Sequence, residues 1–255
     1  MPYTTHQSIR IHYQVEGEGP PLVMQHGFTD SIETWYELGY LEALKHDYRL
    51  ILVDARGHGH SDKPHTPDAY KMALRAGDVV TVLDAVHVPT THFMGYSMGG
   101  RIGFALAQYA PERFASFILG GSAPYQRPQT QADPLLQMLR KGPEAIAWDA
   151  PLPPALQARM LANDIEALIA CRTNTLESPG YEDVLPTMTM PCLLYAGEAD
   201  ATYPGVKECV LHMPNVTFFF LPGLKHAETF FRSDLVLPHM TRFLQGGREY
   251  GQAQV

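Results

Sequence analysis

The chain is short of cysteine: three among 255 residues, Cys171, Cys192 and Cys209, an odd number without metal-ligand spacing. That argues against a disulfide framework or a structural zinc site, and the three read as reduced, mostly buried thiols in a cytoplasmic protein. Runs of Lys and Arg are missing too. With a formal net charge of −8, neither a nucleic acid nor an anionic membrane is an expected partner. No hydrophobic run approaches membrane-spanning length, and Met1-Pro2-Tyr3-Thr4-Thr5-His6 has no basic region leading into an apolar stretch, so no signal peptide is expected. Internal repeats and low-complexity tracts are also lacking. What remains is 45% hydrophobic and 18% charged, which suits one large α/β domain carrying an insertion.

The rest of the chain is arranged around Thr91-His92-Phe93-Met94-Gly95-Tyr96-Ser97-Met98-Gly99-Gly100-Arg101. A short apolar strand meets a tight turn, and an Ala-rich helix follows. The turn reads G-x-S-x-G, the spelling of a nucleophile elbow. A reversal this sharp strains the serine backbone, so the residues two positions either side must lack clashing side chains. Ser97 is therefore the candidate nucleophile, lifted above the positive end of the following helix.

Alternation over Ser8–Val15 predicts a half-exposed edge strand, and Pro21–Gln25 a short buried one running into His26-Gly27-Phe28. Asp30 with Glu33 suggests a capping box before a helix whose face carries Trp35, Leu38, Leu41 and Leu44. Arg49–Val53 reads as a strand, Tyr70–Val86 as a helix, and Phe117–Leu119 as another buried strand. From Ala123 onward prolines multiply and no strand is convincing. Residues 123–186 are thus expected to form an inserted helical cap, with 1–122 and 187–255 forming the core. Strand character returns at Cys192–Ala196 and Val216–Leu221, and a last helix spans about Asp234–Leu244. Strands alternating with helices imply a mostly parallel sheet covered on both faces, whose active site belongs at the carboxyl ends of the strands.

A serine hydroxyl needs a base held by an acid. Position selects His226, after the last strand, from twelve histidines. Glu198 and Asp200 both follow the preceding strand; Asp200 is the chosen acid and Glu198 a loop organiser. Two backbone N–H groups should stabilise an oxyanion: that of Met98, directly after the nucleophile, and that of Phe28, with Gly27 permitting the turn. His26 reads as loop scaffold.

These pieces together, with Asp54-Ala55-Arg56-Gly57-His58-Gly59-His60-Ser61, resemble the α/β-hydrolase superfamily from about Ile9 to Leu244. The resemblance implies the order nucleophile, acid, base found here as Ser97, Asp200, His226, and gives the Asp54–Ser61 stretch a loop-shaping part only. One rival reading is a zinc site on His58, His60 and Asp62, an H-x-H-x-D spacing, but a further histidine is missing where Lys63 stands. Serine at the elbow argues against epoxide opening and halide displacement and suits acyl transfer on small esters or lactones. Tyr96 and Arg101 around the elbow are also similar to menaquinone-pathway lyases, which use cap arginines; Arg127, Arg140, Arg159 and Arg172 lie in this cap without a motif to match them. Ligand receptors on the same fold form a third class. The expected pocket lining is Trp35, Tyr96, Tyr125, Trp148 and Leu152. No metal or organic cofactor is called for, and a monomer or homodimer is expected.

Overall fold

A computed structural model describes residues 2–126, 133–145 and 154–246. Eight strands form one sheet in the order β1-β2-β4-β3-β5-β6-β7-β8. In chain order, β1 (Tyr3–His6), β2 (Ile9–Glu16) and β3 (Pro21–Gln25) precede two short helices, α1 (Glu33–Glu37) and α2 (Tyr40–Leu44). Then come β4 (Arg49–Val53), α3 (Met72–Ala85), β5 (Thr91–Tyr96), α4 (Met98–Tyr109) and β6 (Phe114–Gly120). Helices α5 (Pro134–Lys141), α6 (Pro154–Leu161) and α7 (Ile165–Glu177) lie between β6 and β7 (Cys192–Gly197). The chain continues with α8 (Tyr203–His212), β8 (Val216–Leu221), α9 (His226–Phe231) and α10 (Ser233–Leu244). From β4 to β8 across the sheet all neighbours are parallel, while β1 and β2 run antiparallel at one side.

Both faces of the sheet are buried. One carries Val23, Ile51, Phe93 and Leu119 against α3 and α4, and the other carries Met24, Leu52, Met94 and Ile118 against Trp35, Tyr40 and Phe230. Double burial explains why the central strands read as continuous apolar runs. The residues between β6 and β7 build a smaller cluster around Leu139 of α5 and Leu168 of α7, which Phe28 of the core also joins. Among the described residues this segment contains no strand.

Three local expectations change. The edge strand is β1, so β2 lies inside the sheet; Gln7 and Ser8 turn between them with φ of 46° and 66°, a two-residue reversal needing positive φ at both positions. The Asp30–Glu33 capping box does not form. Ile32 is the N-cap of α1, without a side-chain cap, and Asp30 instead accepts from the Ser31 N–H and the Thr34 hydroxyl. The single helix expected through Leu44 is broken at Gly39, whose φ is 76°. The three cysteines are free and buried. Among the described residues no helix is long and apolar enough to cross a membrane.

Candidate active site

Ser97 sits between β5 and α4 with φ 54° and ψ −109°, a strained combination for a residue with a side chain. The glycines of the motif have a direct steric cause. A Cβ at Gly95 would lie 2.4 Å from the Gly99 carbonyl, and one at Gly99 would lie 2.1 Å from the Gln25 carbonyl oxygen. The turn therefore closes only with glycine at both positions.

Two further loops converge on Ser97. Asp200 follows β7, and His226 opens α9 rather than lying in a loop. His226 Nε2 is 2.8 Å from Ser97 Oγ, and its Nδ1 is 2.6 Å from Asp200 Oδ2. Asp200 accepts only, so the network assigns the proton to Nδ1 and leaves Nε2 to accept from the serine hydroxyl. Burial pushes the Asp200 carboxyl up, but the hydrogen bond and charge of His226 and the Thr202 N–H outweigh it and hold the group below the ordinary carboxylate range. Glu198 takes a different position, accepting from the Gly223 N–H in the turn before α9.

Beneath the imidazole, the Tyr96 hydroxyl donates to the His226 carbonyl at 2.6 Å, and its ring stacks on Phe230 with centroids 4.6 Å apart. Gly121, at φ +57°, leaves room here: a Cβ would stand 3.0 Å from His226 Cε1 and 2.8 Å from the Tyr96 ring.

A cavity of about 130 Å³ opens beside Ser97, lined among others by Phe28 and Met98 of the core and by Arg75, Arg101 and Arg172. Among the described residues no protein group accepts from the backbone N–H of Phe28 or Met98, as expected for Met98 at the first turn of a helix. Gly27 has room for a Cβ, with its nearest neighbours at 3.7 Å. The strained residue of this loop is Thr29, φ 68°. Trp35 does not line the cavity; it is fully buried between Tyr40 and Phe230. Tyr96 and Tyr125 lie outside the lining too, Tyr96 under His226 and Tyr125 beside Gly205. Trp148, Leu152 and Arg127 fall outside the described residues. Arg75 was overlooked in the sequence although it occupies the buried face of α3, three residues after Met72 and four before Val79. A charged residue in that stripe was the available signal.

The H-x-H-x-D residues are dispersed. Burial, with the charge of His26, pushes His58 down to about 3, and Asp62 pairs with Arg10. His12, Asp54 and His60 lie together instead, with Asp54 accepting from His12 Nδ1 and from the Ile32 and His60 N–H groups. Those bonds pin the loop after β4 to the loop after β3. His26 is scaffold of the same kind, its Nε2 accepting from the Ala55 N–H.

A doubly covered, mostly parallel sheet with serine, histidine and carboxylate meeting at the strand ends defines a class. Residues 20–164 match the family described as alpha/beta hydrolase fold, and the chain belongs to that family. It is 32% identical over 243 residues to the "Putative carbamate hydrolase RutD" of Variovorax paradoxus (strain S110), covering 86% of this chain and 90% of that one. It is 28% identical over 245 residues to the "Putative 2-succinyl-6-hydroxy-2,4-cyclohexadiene-1-carboxylate synthase" of Bacillus subtilis (strain 168), covering 85% and 88%. Among solved structures, the enol-lactonase from Burkholderia xenovorans LB400 superposes with a TM-score of 0.84 at 25% identity, covering 96% of this chain and 100% of that one.

Proposed function

We propose that the protein is a serine hydrolase of small carboxylic esters or lactones, working through an acyl-enzyme. The observation that carries this reading is the unbroken hydrogen-bond chain from Ser97 Oγ through His226 to Asp200. Ser97 Oγ attacks the carbonyl carbon while its proton passes to His226 Nε2. Asp200 orients the imidazole and stabilises its positive charge. The N–H groups of Phe28 and Met98 donate to the developing oxyanion. His226 returns the proton to the leaving oxygen, then takes one from the water that attacks the acyl group and gives it to Ser97 Oγ as that oxygen leaves, and the free acid departs. Residues 123–186 are read as the cap over this site, and the carbonyl oxygen is polarised by backbone donors without a cofactor.

The test is hydrolysis of short p-nitrophenyl esters by the wild type and Ser97→Ala. A loss on the order of 10⁴-fold or more is expected in the variant, and activity retained without the hydroxyl would overturn the mechanism. A second reading, a lyase or a C–C bond hydrolase of the same fold, draws on the synthase-named relative and on the Tyr96-Ser97-Met98-Gly99-Gly100-Arg101 elbow. Formation of a cyclohexadiene carboxylate, with no hydrolysis of the p-nitrophenyl esters, would favour the lyase.

A further inference from the structure

A guanidinium keeps its charge in a protein interior, so a buried one is ordinarily paired. The buried Arg56 and the partly buried Arg172 and Arg159 follow that rule. Arg56 is clamped by both carboxylate oxygens of Asp78 at 2.6 and 2.5 Å. Arg172 is held by Asp133 at 3.0 Å and Arg159 by Glu37 at 2.6 Å.

Arg75 departs from it. Its relative exposure is 2%, and among the described residues it forms no ion pair with a carboxylate. Nη2 donates to the Cys171 carbonyl at 3.4 Å and to Cys171 Sγ at 3.1 Å. Nε and Nη1 are buried without any hydrogen-bond partner. Cys171 is no counter-ion, because burial pushes its thiol up despite the guanidinium beside it. The face of Tyr70, 5.5 Å away, is the remaining neighbour of note. Arg75 lines the same cavity as Ser97, and Arg101 adds positive charge to the same wall.

We propose that Arg75 binds a negative charge on the substrate. The cavity takes an acyl group ending in a carboxylate, which accepts from Nη1 of Arg75 while the scissile carbonyl faces Ser97. At about 130 Å³ the space holds only a short spacer between the two groups. The substrate class is therefore a half-ester of a short dicarboxylic acid, or the lactone equivalent. The inference rests on the acyl-transfer reading above and narrows it.

Two esters of equal acyl length test it: the p-nitrophenyl half-ester of glutaric acid and p-nitrophenyl valerate, which differ by the terminal carboxylate. The wild type is expected to favour the half-ester in kcat/KM by at least about tenfold. In Arg75→Met that preference falls about 10- to 100-fold, the range of one charge-assisted hydrogen-bonded contact, mainly through KM, and Arg75→Lys recovers part of it. A wild-type preference at or below unity overturns the proposal, as does a preference unchanged in Arg75→Met. The preference is a ratio within one protein, so partial misfolding cannot imitate its loss. Failure of the acyl-transfer reading looks different, since the wild type then turns over neither ester. In that event calorimetric titration with glutarate decides: binding at least tenfold weaker in Arg75→Met upholds the anion site, and equal affinities overturn it.

Discussion

At the scale of single residues, the geometry of the candidate site depends on groups outside its hydrogen-bond chain. Gly121 shows this best, because the space its missing Cβ leaves is bordered by the His226 imidazole and the Tyr96 ring. Gly121→Ala is expected to displace the imidazole and lower kcat on the order of 10²-fold, with KM little changed. Equal kcat in the variant and the wild type would show that the imidazole has slack. Ser97, Asp200 and His226 were legible because each falls just after a strand and the elbow glycines have a spelling. Gly121 was not, because the sequence carries no sign of what a glycine at a strand end makes room for. The expected aromatic lining from Trp35 and Tyr96 misled for a related reason. An aromatic residue near a motif packs as readily beneath a site as around it, and here Tyr96 stacks on Phe230 while Trp35 meets that same ring edge-on.

At the scale of elements, the strands from β3 to β7 were legible because burial on both faces writes them as apolar runs, and the edge strand β8 by its run Phe218-Phe219-Phe220-Leu221. The failures occurred where local chemistry is unusual. β1 was hidden by a hairpin turned through Gln7 and Ser8, neither of them glycine or asparagine. α9 was hidden by Lys225 at its N-cap, although the Glu228 carboxylate accepts the Lys225 N–H at 2.9 Å. The contact between α6 and α1 could not be anticipated at all, since it joins residues more than a hundred positions apart. Arg159 reaches Glu37 at 2.6 Å, the Thr34 hydroxyl at 2.7 Å and Asp30 at 3.4 Å. Asp30 is deeply buried, and burial raises its carboxyl even with Arg159 near. Removing the cation in Arg159→Met should lower stability by about 1–2 kcal/mol, a fall in Tm of roughly 2–8 °C for a chain of this size. KM should rise several-fold as α6 loosens from the core, with kcat less affected. A scanning-calorimetry trace and a KM both matching the wild type would remove this contact from the list of things that hold α6 down.

At the scale of the whole molecule, burial of ionisable groups fixes the response to acid. The His58 pKa, pushed down to about 3, lies below the ordinary histidine value near 6.5. Between those values the unfolded chain binds a proton that the folded chain refuses, so stability is lost as pH falls from about 6.5 toward 3, by up to roughly 1.4 kcal/mol per pH unit for this group. Burial lowers His92 and His239 as well, with the same sign. Asp54 and Asp200, held below the carboxylate range, add their loss only once the pH drops to about 4 and below. Urea midpoints should therefore decline between pH 7 and pH 5, above the range in which Asp54 and Asp200 protonate, and the decline should be shallower in His58→Gln. Parallel curves for the two proteins would mean that His58 takes up its proton without unfolding.

The reacting groups are also unequally distributed along the chain. Ser97 is complete with β5 and α4, whereas His226 follows β8, the strand at the far edge of the sheet. On the proposed mechanism a polypeptide cut anywhere between α4 and His226 would possess a nucleophile and no base. During synthesis the molecule would therefore stay chemically silent until its last strand had docked, and the onset of turnover would mark the moment the sheet was finished.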